Sequence, residues 1–305
     1  MSKITKALEK AARERLQGTP AQPAAVPANK VVIPVAPVAP AAPATLGTIP
    51  WARQVSIDPH IVSAADASSP IAEQYRILKA NIQMLRQRQG PKVIVVTSAV
   101  NGEGKSVTSL NLALTLSRQE NLSVALVDGD MRKGTIHRWL GLSRRDPGLS
   151  TILSQGGVVE GALLRLQDPP LAVLPCGNEV EQPAELLEST SMKRVLATLK
   201  SRFDVIIIDA PPVLPVVDPG LLAAHADGVL FVVKAGKTQR KTVQQAQKLL
   251  KQMKANVIGC ILTHVEYYMP GYARYYRYHR YAEDGNGNGS ARTDGRASDG
   301  TKRHG

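Results

Sequence analysis

The sequence predicts a doubly wound α/β domain with a mostly parallel sheet, and three observations predict it. Apolar runs of strand length recur at 93–97, 124–128, 171–174, 205–209 and 229–233, with a sixth at 257–263. Runs that are continuous, not alternating, suit strands buried on both faces of a parallel sheet. Helical periodicity separates them, clearest at 106–117, 192–200 and 238–253, which gives a β-α-β rhythm. Glycine, lysine and aspartate residues gather just past the ends of these runs, where ligands collect in such a fold.

In chain order, residues 1–17 come first, with Ile4, Ala7, Leu8, Ala11 and Leu16 at roughly helical spacing among Lys3, Lys6, Lys10, Arg13 and Arg15. An amphipathic helix there can dock on a partner or an anionic membrane surface, or remain an exposed end. Residues 18–57 shift to Pro, Ala and Val, and eight prolines between Pro20 and Pro50 make this a semi-extended linker. The domain is expected over 58–265. It opens with a helix over 71–86, started by Ser69 as N-cap and Pro70 at the first helical position. A tyrosine-rich stretch fills 266–281, and 282–305 is Gly, Asn, Ser, Asp and Arg with little to bury, expected as a disordered tail.

Composition narrows the function. No run approaches the roughly 18–20 apolar residues of a membrane span, and the charged start does not read as a secretory signal, so a cytoplasmic location is expected. Cys176 and Cys260 lie far apart, without partners at metal-binding spacing, and are expected as small buried thiols. The net charge of +13 is spread along the chain: 11 basic and 5 acidic residues in 1–90, 20 and 15 in 91–263, 7 and 5 in 264–305. That distribution argues against a DNA-reading surface.

Three motifs carry chemistry. The first apolar run leads into Ala99-Val100-Asn101-Gly102-Glu103-Gly104-Lys105-Ser106 and then a helix, the context of a phosphate-binding P-loop, although Ala99 stands where the usual pattern has its first glycine. Gly102 and Gly104 let backbone amides face phosphates at a helix N-terminus. Asn101, Gly102, Glu103, Gly104, Lys105, Ser106 and Val107 are therefore the expected nucleotide cradle. Lys105 would reach the β- and γ-phosphates and Ser106 would ligate Mg²⁺. The second motif, Asp128-Gly129-Asp130-Met131-Arg132, follows the next strand, where two acids can orient Mg²⁺ and accept a proton. The third, Val205 to Asp209, reads as a Walker B strand that sets Asp209 beside the metal. The fold expected is thus a P-loop NTPase with a flexible N-terminal linker and C-terminal tail, using ATP and Mg²⁺.

These motifs resemble those of the bacterial tyrosine kinases of capsular and exopolysaccharide synthesis in their stand-alone cytoplasmic form, over roughly residues 58–281. The resemblance implies ATP-dependent autophosphorylation, with Lys105, Asp128, Asp130 and Asp209 catalytic and Ser106, Asp128 and Asp209 around the metal. Glu73, Arg76 and Lys79 resemble a Glu-x-x-Arg-x-x-Arg motif that serves ring assembly, with Lys79 in place of Arg; as an exposed charged face they need no function. The implied partners are other copies in a ring-like homo-oligomer, a membrane polysaccharide chain-length regulator that activates and locates the kinase at the inner face of the membrane, and a phosphotyrosine phosphatase.

Tyr267, Tyr268, Tyr272, Tyr275, Tyr276, Tyr278 and Tyr281 fall within fifteen residues and follow neither a strand nor a helix period. In the kinase reading they are the phosphoacceptors, entering a neighbour's nucleotide pocket. Interleaved Arg274, Arg277 and Arg280 also suit a single-stranded nucleic-acid binder, a reading that leaves the ATP site unexplained. A partition- or division-type ATPase switch is the other alternative. Such proteins carry a signature lysine five residues before the P-loop lysine, and Val100 stands there.

Overall fold

The computed structural model describes residues 55–65, 69–86 and 92–265. The expected helix over 1–17, nearly all of the linker, the tyrosine cluster and the tail over 282–305 lie outside the described residues.

Two helices precede the sheet: α1 (Val62–Ala65) and α2 (Pro70–Arg86). The expected cap of α2 is formed, since Ser69 Oγ accepts from the Ala72 N–H at 3.1 Å. Then follow β1 (Val93–Ser98), α3 (Lys105–Ser117), β2 (Val124–Asp128), α4 (Ile136–Trp139), α5 (Leu149–Gln155), β3 (Leu164–Arg165) and β4 (Ala172–Leu174). The last third holds α6 (Pro183–Glu188), α7 (Thr190–Arg202), β5 (Val205–Asp209), α8 (Asp218–Ala223), β6 (Gly228–Lys234), α9 (Arg240–Gln252) and β7 (Val257–Thr263).

The strands form one sheet in the order β3-β4-β2-β5-β1-β6-β7, parallel except where β3 meets β4. Every residue of β1, β2 and β5 is buried. The reason is visible in the core, where Val93, Val95 and Ile208 join one apolar cluster while Ile94, Val96 and Ile207 join another. Successive side chains of a strand point to opposite faces, so a strand covered on both sides reads as an unbroken apolar run. Helix α3 is buried nearly all round because it lies between the sheet and the α1/α2 layer. Its Asn111 and Thr115 bond Ser63 of α1 at 2.8 and 2.9 Å.

Two expectations are corrected. The run at 257–263 forms a strand, yet each of its residues is exposed or half-buried, because β7 is the edge of the sheet. Cys260 is accordingly exposed, whereas Cys176 is buried as expected. The sequence also gave no warning of β3, whose two residues are too few to show a period.

Candidate active site

Parallel register sets the site. Val96 of β1 pairs with Asp209 of β5, and Asp209 pairs with Asp128 of β2. Three neighbouring strands therefore end at one height, with Asp128 and Asp209 both fully buried there. The loop after β1 turns with φ of 79° at Gly102 and 91° at Gly104, values that a residue with a Cβ adopts only at a cost of about 1–2 kcal/mol. Gly104 is the N-cap of α3, so the helix presents unpaired N–H groups and its positive end to the loop.

Lys105 and the acids converge. The Lys105 ammonium lies 3.0 Å from Asp130 Oδ2 and 3.5 Å from Ser106 Oγ. Burial pulls its pKa down, but Asp209, Asp130 and Asp128 more than reverse this, so the group stays charged. Asp130 Oδ1 accepts from the Lys133 N–H at 2.9 Å. Asp128 accepts from the Asp130 N–H at 3.2 Å and the Ile136 N–H at 3.1 Å, which ties the loop after β2 to the strand end. Asp209 Oδ1 lies 3.2 Å from Ser109 Oγ, whereas Asp209 Oδ2 is buried with no hydrogen-bond partner among the described residues. A buried carboxylate oxygen left bare is costly unless something else meets it. Together with the glycine cradle and the Ser106 hydroxyl, this donor set fits a hard cation and a polyphosphate.

The same crowding shifts the titration of the acids. Burial first, then the Asp209 and Asp130 carboxylates, push the Asp128 carboxyl up to about 8 from 3.8. Asp209 is also raised, chiefly by burial, against the pull of Lys105. An acid whose pKa is higher folded than unfolded binds its proton more tightly in the folded state. Its stabilising contribution is complete below about pH 4 and is lost as pH rises towards 8. Without nucleotide and metal, Asp128→Asn is therefore expected to melt above the wild type at pH 8. The gap should shrink towards pH 5, at about 1.4 kcal/mol per unit of pKa shift relieved. Melting curves across that range check it, and a constant gap would refute it.

Other contacts of the site escaped sequence reasoning. Glu103 was expected to help hold nucleotide, but its carboxylate is buried and engaged behind the loop. It accepts from the Val100 N–H at 2.9 Å, from the Lys234 N–H at 3.4 Å and from the Thr238 hydroxyl. Thr263, the last residue of β7, donates its hydroxyl to the Glu103 carbonyl oxygen at 2.8 Å. Arg132 makes a two-bond contact with fully buried Asp218, at 2.8 and 3.0 Å, which fastens the loop after β2 to α8. The Asp218 signal was in the sequence, as an acid in an otherwise apolar and proline-rich stretch, but nothing there named its partner. Glu73 and Arg76 form an ion pair with each other along α2. Ile71, Ile77, Met84 and Leu85 of the same helix are exposed.

A parallel sheet with a glycine-rich loop, a lysine and converging carboxylates at its strand ends defines a P-loop nucleotide-binding domain. Residues 91–260 match the family model described as an AAA domain. Tyrosine-protein kinase YwqD of Bacillus subtilis is 34% identical over 203 residues, 67% of this chain and 85% of that protein. Putative tyrosine-protein kinase EpsB of Ralstonia nicotianae is 32% identical over 236 residues, 77% of this chain but 30% of the length of that protein. Among solved structures, the chimerical protein CapA2B2 superposes with a TM-score of 0.63 at 29% identity, over 71% of this chain and 94% of that one. The chain belongs to the bacterial tyrosine-protein kinase family, and its activity is protein-tyrosine kinase activity. Among the described residues no helix is long and apolar enough to cross a membrane.

Proposed function

We propose that the protein transfers the γ-phosphate of Mg-ATP to the tyrosines of its own C-terminal segment, between subunits, and thereby regulates capsular or exopolysaccharide polymerisation or export. The observation that carries the self-directed reading is the hydroxyl of Thr263 on the Glu103 carbonyl oxygen. The chain leaves the sheet against the phosphate loop itself, four residues before Tyr267.

In this reading residues 101–107 cradle the phosphates, with Ser106, Asp128 and Asp209 holding Mg²⁺. When bound, the ion supplies charge neutralisation on the transferring phosphoryl group. Lys105 neutralises and orients the β- and γ-phosphates, and Asp130 holds Lys105 in place. The Asp128 carboxylate, which cations in the loaded site would hold ionised, takes the tyrosyl proton as the oxygen attacks. Holding the acceptor in line supplies the largest part of the acceleration. Glu73, Arg76 and Lys79 contribute to contact between subunits in a ring-like oligomer. A membrane chain-length regulator activates the kinase at the inner face of the membrane, and a phosphotyrosine phosphatase reverses the reaction.

Incubating the purified full chain with labelled ATP and Mg²⁺, followed by site mapping, tests the proposal. Phosphotyrosine confined to residues 267–281 is the expected result. Absence of phosphotyrosine even with the regulator's cytosolic segment supplied, or its appearance only outside that stretch, would overturn it.

A further inference from the structure

We propose that Asp128, His137 and Cys176 form a second metal site that takes a zinc-class ion in preference to magnesium and withdraws Asp128 from the kinase site. The three residues come from separate parts of the fold: the end of β2, helix α4 and the segment after β4. A ligand-capable atom of each lies within 4.8 Å of those of the other two, and all three residues are buried. Small side-chain adjustments bring such a set onto one ion.

A second observation points to a ligand. His137 is only 5% exposed, and its Nδ1 is buried without a hydrogen-bond partner among the described residues. Buried imidazole nitrogens are normally satisfied, and a cation would satisfy this ring. Cys176 Sγ makes a long 3.5 Å contact with the Gly177 carbonyl oxygen and also bonds the Asp128 side chain, which sets the thiol directly against the carboxylate it would share an ion with. Gly134 closes over the group. A Cβ at that position would lie 2.5 Å from Cys176 Sγ and 2.7 Å from Asp128 Oδ2, so glycine is what lets these two side chains share the space.

The donor set decides the metal. Thiolate and imidazole select zinc and its neighbours, whereas magnesium prefers oxygen ligands alone. Three protein ligands leave a fourth position for water. On binding, the Cys176 S–H bond breaks, its proton passes to solvent and a sulfur–metal bond forms. Arg144 acts on both His137 and Cys176, Arg138 on His137 and Lys105 on Asp128. The pairing of Arg144 with Glu179 at 3.1 Å and of Lys105 with Asp130 at 3.0 Å limits their repulsion of an incoming ion. Metal binding stands on the cluster alone, while the inhibition it causes rests on the catalytic role proposed for Asp128.

The test titrates the metal-free full chain with Co²⁺, a spectroscopic stand-in for zinc, and then with Zn²⁺ against a chromophoric chelator. Wild type, Cys176→Ser and His137→Gln are compared. The expected result is a thiolate-to-cobalt charge-transfer band in the wild type that zinc abolishes. Cys176→Ser should lack the band, and both variants should bind zinc about 10–100-fold more weakly or worse, by analogy with losses at supporting positions. In Mg-ATP assays zinc should inhibit the wild type, while Cys176→Ser keeps its basal activity and needs correspondingly more zinc. No thiolate band in the wild type, or equal zinc affinity in folded Cys176→Ser and His137→Gln, overturns the site. A normal band with phosphorylation untouched by zinc overturns the inhibition and the role of Asp128, and leaves the site standing.

Discussion

Lys105→Met is expected to lower phosphotyrosine formation by about 10²–10³-fold, the scale seen when one preorganised charge-stabilising donor is removed from an active site. Lys105 is the cation at the centre of three acids, bonded to Asp130 at 3.0 Å and raised in pKa by Asp209, Asp130 and Asp128. Without it, an incoming triphosphate meets uncompensated carboxylates, so both nucleotide affinity and turnover should fall. The fold should survive, because carboxyls already raised in pKa, such as Asp128 and Asp209, can take up a proton in place of the lost partner. That compensation is pH-dependent: the variant should lose more stability at pH 8 than at pH 5. Lys105→Arg should rescue poorly, since the planar guanidinium cannot replace a compact ammonium in a space shaped for it. Calorimetric ATP binding, steady-state phosphorylation and melting curves on the same samples separate these effects. Near-normal phosphorylation by Lys105→Met would refute the assignment of the site.

The parts of this molecule that were legible in its sequence are those governed by short-range pattern. The runs at 93–97, 124–128 and 205–209 became fully buried strands, because burial on both faces leaves no polar alternation to misread. The capping of α2 by Ser69 was equally local. Lys105, Asp128, Asp130 and Asp209 stood out in the sequence as motifs, and strand register and the Lys105–Asp130 contact bring them together. The exposure of β7 was not legible, since an edge strand and a central one can carry the same apolar run and differ only in their neighbours. Helices α4, α5, α6 and α8 span four to seven residues each, too short for a period of 3.6 to declare itself. The contacts that brace the site were hidden for another reason. Glu103 reaches Lys234 and Thr238, and Arg132 reaches Asp218, across 86 to 135 residues of chain. Such pairings are decided by topology, and no local spacing encodes them.

A chain ended before Tyr267 is expected to lose self-phosphorylation completely while keeping its affinity for Mg-ATP, because every residue proposed to hold nucleotide or metal precedes that point. Mixing then distinguishes the route. Full-length Lys105→Met supplies tyrosines without catalysis, and the shortened chain supplies catalysis without those tyrosines, so phosphate on the former shows transfer between subunits. The rate should rise with protein concentration until assembly saturates. If only the intact active chain labels itself, at a rate independent of concentration, transfer is internal and the ring reading loses its purpose. Chain length bears on the choice: four residues from Thr263 to Tyr267 reach at most about 14 Å, whereas the eighteen to Tyr281 reach about 60 Å. The later tyrosines thus reach much further from the sheet than the first ones. Each phosphate adds about −1.5 to −2 charge, against the cations Arg274, Arg277 and Arg280 in the cluster. Full phosphorylation of seven tyrosines turns a weakly basic segment strongly acidic, and tails gathered in a ring then repel one another. Assembly size, measured before and after complete phosphorylation, should therefore fall, making the product of the reaction the signal that ends it.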